Sequence, residues 1–238
     1  GIVDGLKERA KWLSENTEYA IFTTVPGIYE KAWYLTGMER MMKAWGNDIK
    51  FIEKLLDKVL SIVKEFHDVF LGEIGEYLDV VEFFDDLGGQ NLPIFSPDQY
   101  KEIIKPRHIE MVDFIKDRTE AKVAHHCCGV IRPFLDDIIE TGVDIINPVQ
   151  VSAKGNSDTR ALKKDYGEDI VFWGAIDTQD VLPKGGTEDV KEEVEQRVED
   201  LAPGGGYILS SVHNIQNDVP PENIVEMYRT AKNMDYPI

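Results

Sequence analysis

Short runs rich in β-branched and aromatic residues recur along this chain, each followed by a stretch with helical periodicity. Tyr19–Thr23 (YAIFT) is the first run, and the Pro26-Gly27 turn leads from it into a helix from about Ile28. Asp48–Gly72 reads as one long helix with Phe51, Leu55, Val59, Ile62 and Phe66 on its apolar face. Asp79–Phe84 (DVVEFF) is the second run. Ser96-Pro97 then supplies an N-cap and a first-turn proline for a helix to about Asp117. Lys122–Cys127 is the third run, closed by Gly129 ahead of a Val130–Glu140 helix. Val143–Ile146, Ile170–Trp173 and Tyr207–Ser210 complete the set. Helices over Asp158–Tyr166 and Thr187–Leu201 separate them, the latter with Thr187 as cap, and a last helix runs from Pro220-Pro221 to about Lys232.

Strands that alternate with helices, and whose cores are near-continuously apolar, predict a parallel sheet covered by helices. Six strands are expected, whereas a closed (β/α)8 barrel has eight. The pattern alone leaves two choices: an open doubly wound sheet, or a barrel whose N-terminal part is absent. No linker or low-complexity segment interrupts residues 1–238, so one domain is expected.

Several function classes fall away on composition. Lys and Arg total 26 against 44 Asp and Glu, a net charge of −18 that repels a phosphate backbone, so no nucleic acid partner is expected. No apolar run approaches the ~20 residues of a membrane span, so no membrane partner is expected either. The two cysteines are adjacent, Cys127-Cys128, where a bridge would close almost no loop, which points to a reducing, cytoplasmic setting.

The chemistry gathers at strand ends. In Ala124-His125-His126-Cys127-Cys128-Gly129, side chains two apart share a face, so His126 and Cys128 point together and His125 and Cys127 point the other way. An imidazole and a thiolate on one face form half a tetrahedral zinc site, and the carboxyl end of a parallel strand is where such folds place their active sites. The plainer alternative is a buried histidine with two cysteines serving as small hydrophobes. His213, in Ser210-Ser211-Val212-His213-Asn214, sits at the same rim and could complete a three-ligand site with an open position. His67 and His108 lie within predicted helices and read as structural or surface residues. Asp85, Asp177 and His213 are the candidate catalytic residues; Gln90, Asn147 and Gln150 are the candidate substrate contacts. Helix N-capping is the simpler role for Asp85 or Asp177 taken singly. No phosphate-loop, dinucleotide or G-x-S-x-G motif is present.

Asp85-Asp86-Leu87-Gly88-Gly89-Gln90, with Ser96-Pro97, Tyr100 and Lys105-Pro106, resembles the uroporphyrinogen decarboxylase superfamily. So do Asn147-Pro148-Val149-Gln150, Trp173-Gly174-Ala175-Ile176-Asp177-Thr178, Gly204-Gly205-Gly206-Tyr207-Ile208 and Val212-His213-Asn214-Ile215-Gln216. The resemblance covers nearly the whole chain. It implies a (β/α)8 TIM barrel and a missing N-terminal part with two strands, which would account for the count of six. Within the superfamily, His126-Cys127-Cys128-Gly129 is similar to the H-x-C-G element of the corrinoid-dependent methyltransferases, which hold zinc through His-x-Cys and a later Cys. Here His213 stands at that later position, giving a His126/Cys128/His213 set that departs from the usual one. This resemblance implies zinc, methylcobamide carried by a corrinoid partner protein, and a small-molecule methyl donor or acceptor.

Two rival readings stay open. One is cofactor-free decarboxylation of uroporphyrinogen, for which Arg132 is the only cation near a strand end. The other is a non-catalytic metal-binding module. A barrel short of two strands has unpaired edges that invite association, a homodimer being one outcome.

Overall fold

The computed structural model describes residues 3–234, which fold into two compact units. The first comprises residues up to 86 together with 96–126 and 136–144; the second comprises 87–95, 127–135 and 145 onward. Six strands are present among the described residues, as the alternation predicts.

In the first unit β1 (Phe22–Pro26), β2 (Val80–Phe84) and β3 (Lys122–His126) pair in parallel, with Phe22 opposite Val80 and Phe84 opposite His126. The long helix Ile49–Ile74 begins at Asp48, whose carboxylate accepts the Phe51 N–H at 3.1 Å. Its buried stripe is Ile52, Leu56, Val59, Val63 and His67. The expected stripe is therefore one position out: it shares only Val59 with the buried one, and Ile62 is 50% exposed. Two apolar stripes about 100° apart run down this helix, and periodicity cannot choose between them. β1 also begins three residues later than expected. Tyr19 is exposed, and the Asp79 carboxylate takes the Ile21 N–H at 2.7 Å, so ladder pairing starts only at Phe22. Ser96 caps the next helical run through a reciprocal pair with Gln99, as its position suggests. That run passes through a π turn at Tyr100–Ile104 before Lys105–Lys116.

In the second unit β4 (Ile145–Asn147), β5 (Val171–Ile176) and β6 (Tyr207–Ser211) are likewise parallel. Helix Thr187–Leu201 lays Val190, Val194 and Val198 against Ile176, Leu182 and Met227 to form the core. Its first N–H groups are met differently from expectation: the cap is Gly186, whose N–H goes to the Asp189 carboxylate at 2.7 Å. The expected Val130–Glu140 helix is a 3-10 turn, Arg132–Phe134, and a short α-helix, Leu135–Ile139; Pro133 cannot donate within a longer helix. Five of the six described strands end at or beside a candidate side chain. Phe84 of β2 precedes Asp85, His126 ends β3 two residues before Cys128, Asn147 ends β4, Ile176 precedes Asp177, and Ser211 precedes His213 by two.

Candidate metal centre

Strand alternation sorts the His-His-Cys-Cys run. His125 is fully buried; its Nε2–H donates to the Asp85 carbonyl at 3.0 Å and its ring stacks on Phe83 with centroids 4.5 Å apart. Burial pushes its imidazole down to about 3, so it stays neutral. Cys127 is fully buried too, its sulfur accepting the Leu87 N–H at 3.2 Å. His126 and Cys128, on the alternate positions, are half-buried.

Gly129 turns the chain sharply after Cys128, at φ +80°. It packs on the Gly88-Gly89 segment, where the Gly89 carbonyl accepts the Val130 N–H at 2.9 Å. A Cβ on Gly88 would stand 2.5 Å from the Val130 nitrogen, so only glycine permits this approach. The Gly129 N–H is held by the Gln150 side-chain oxygen at 2.7 Å. The other end of Gln150 donates to the Gln90 oxygen at 2.9 Å, and Gln179 donates to the same oxygen at 3.0 Å. These three carboxamides, with Cys128, His213 and Asn214, line a cleft of about 310 Å³ within the second unit.

One potential ligand atom from each of His126, Cys128 and His213 lies within 4.8 Å of the other two. His126 and Cys128 are two residues apart in the chain. Bonds of about 2.0–2.3 Å to nitrogen and sulfur suit this donor set to tetrahedral zinc, with three protein ligands and one position left for a substrate. The residues therefore fit the metal. Of the three, His213 is the exposed one.

The other candidates are placed as follows. The fully buried Asp85 accepts the N–H groups of Ile28 and Glu30, both at 2.8 Å, and lies 2.9 Å from His108 Nε2. Asp177 accepts the N–H groups of Gln179 and Asp180 at 3.1 and 2.9 Å, which is the capping geometry. Asn147 is buried, and its carbonyl accepts the Cys127 N–H at 2.6 Å. None of these three lines the cleft; Gln90 and Gln150 do. Arg132 pairs with Asp165. His67 and His108 are both fully buried. Glu82, which sequence reasoning passed over, is 5% exposed on β2 with Oε1 3.8 Å from His126 Nδ1, and burial raises its carboxyl to about 7. A lone acid inside the apolar run Val80–Phe84 was the signal for it.

The fold is thus a parallel α/β one, with the candidate ligands His126, Cys128 and His213 at or just beyond the carboxyl ends of its strands. The chain belongs to the uroporphyrinogen decarboxylase family: the model described as uroporphyrinogen decarboxylase (URO-D) matches residues 6–234. It is 24% identical over 222 residues to a uroporphyrinogen decarboxylase of Synechocystis sp., covering 90% of this chain and 59% of that protein. A uroporphyrinogen decarboxylase of Trichodesmium erythraeum is 24% identical over 183 residues, covering 77% and 46%. Among solved structures, a methyltransferase from Methanosarcina mazei superposes with a TM-score of 0.75 at 19% identity, covering 98% of this chain and 64% of that one. The likeness shows a TIM-barrel-like α/β fold. The chain spans less than two thirds of each of these three proteins. No helix among the described residues is long and apolar enough to cross a membrane.

Proposed function

We propose that this chain carries the zinc site of a methyltransferase that moves a methyl group between a corrinoid protein and a thiol or small methyl donor. The observation that carries the reading is the convergence of His126, Cys128 and His213 beside the carboxamide-lined cleft. Zinc bound there acts as a Lewis acid, lowering the pKa of a thiol or polarising a methyl donor. The protein's own part is positional. Gln150 fixes the turn after Cys128, and Gln90 and Gln179 present amide groups to a small polar substrate. A thiolate ligand also suits a reducing compartment such as the cytoplasm.

Decarboxylation of uroporphyrinogen is the second reading, favoured by the names of the Synechocystis and Trichodesmium relatives. A polycarboxylate calls for cations, yet no Lys or Arg lines the cleft among the described residues, and Arg132 is engaged with Asp165. Metal analysis of the purified protein decides between them. Stoichiometric zinc that is lost in Cys128→Ser supports methyl transfer. Zinc-free protein that forms coproporphyrinogen, or full methyl transfer by Cys128→Ser, sinks it.

A further inference from the structure

Glu82 and Ala124 are in register on β2 and β3, and His126 follows Ala124 by two, so Glu82 and His126 stand on the same face of adjacent strands. Glu82 is 5% exposed, and its carboxylate oxygen lies 3.8 Å from His126 Nδ1. That imidazole is the ionisable donor group that faces it across the two strands. A carboxylate this buried is costly unless a donor or a positive charge faces it. Phe84 lies beside the His126 ring, with centroids 4.5 Å apart at 45°, and restricts how the ring can turn. Glu82 is not itself in the ligand group, whose members are His126, Cys128 and His213.

We propose that Glu82 is a positioning residue for the metal centre: it accepts the Nδ1–H of His126, fixes that tautomer, and leaves Nε2 as the nitrogen with a lone pair for the metal. The role deepens the zinc reading above and rests on it. A carboxylate behind a ligating imidazole both orients the ring and raises its basicity, and removing such a partner costs 10–100-fold in metal affinity. A side-chain shift of under about 1 Å brings the 3.8 Å separation to hydrogen-bond length.

The test compares wild type, Glu82→Gln and Glu82→Leu in the full chain. One measurement is the ¹⁵N spectrum of the metal-free imidazoles, which reports the protonated nitrogen of His126. The other is zinc affinity in competition with a chromophoric chelator. The expected result is an Nδ1–H tautomer in wild type that is lost in Glu82→Leu, with zinc affinity down 10–100-fold. Glu82→Gln, which keeps an acceptor oxygen, should retain the tautomer and stay within about tenfold of wild type. A His126 tautomer indifferent to Glu82→Leu overturns the assignment, as does undiminished zinc affinity in that variant. A wild-type chain with the Nδ1–H tautomer but no zinc uptake overturns the metal reading instead.

Discussion

Asp85 and His108 meet across 2.9 Å, Oδ2 to Nε2, with both side chains fully buried. Tyr100 OH lies 3.2 Å from His108 Nδ1, so the hydroxyl donates there while Nε2–H donates to the carboxylate. Burial alone would raise the Asp85 carboxyl. The His108 hydrogen bond and the Ile28 and Glu30 N–H groups outweigh that, and the net shift is downward. Its stabilisation is complete above the unfolded carboxylate value of about 3.9 and is lost only as pH falls through the lower folded one. At pH 7, Asp85→Ala strands two N–H groups and an imidazole, and should cost about 3–5 kcal/mol by urea denaturation. A loss under about 1 kcal/mol would show that the network does not hold the helix that follows β1.

Gly129 ties the fold to the proposed metal centre. An alanine there adopts a left-handed conformation at about 1–2 kcal/mol, and its methyl would stand 2.6 Å from the Gly89 carbonyl oxygen. Gly129→Ala should therefore lower the thermal midpoint and reduce zinc per chain, because the strain falls on the residue after Cys128. Gly155→Ala is the control: its φ is +87°, yet an added methyl meets nothing within 4 Å. Equal zinc content and equal melting in the two variants would refute the link.

What the sequence disclosed follows from the range of each interaction. Period and turn residues are local, so six strands and the Ser96 cap were legible. The split of His125 and Cys127 from His126 and Cys128 was legible for the same reason, since alternation is a property of one strand. The edge of β1 and the face of Ile49–Ile74 were not, because a partner strand and neighbouring helices choose among equally apolar options. The capping of Ile28 and Glu30 by Asp85, from 57 and 55 residues away, leaves no local mark. The approach of Glu82 to His126 depends likewise on the pairing of two strands far apart in the chain.

His67 is a fully buried imidazole in the helix Ile49–Ile74, and neither ring nitrogen makes a well-formed hydrogen bond; the Pro26 carbonyl is the acceptor that bears on it. Burial pushes its pKa down to about 4, with a smaller contribution from Arg118. Unfolded chain takes up this proton near pH 6.5 and folded chain resists it to about 4, so unfolding is favoured as pH drops through that window. Between pH 7 and 5 the loss attributable to this group is about 2 kcal/mol. His67→Leu fills the same apolar site with no proton to bind, so its stability should change less with pH by that amount. At neutral pH it should equal or exceed wild type, because two unsatisfied nitrogens leave the core. Urea denaturation of both proteins at pH 7 and 5 reads the difference directly, with all other titrating groups common to the two. Parallel pH dependences would mean that His67 is protonated, or reaches a partner, in the folded chain.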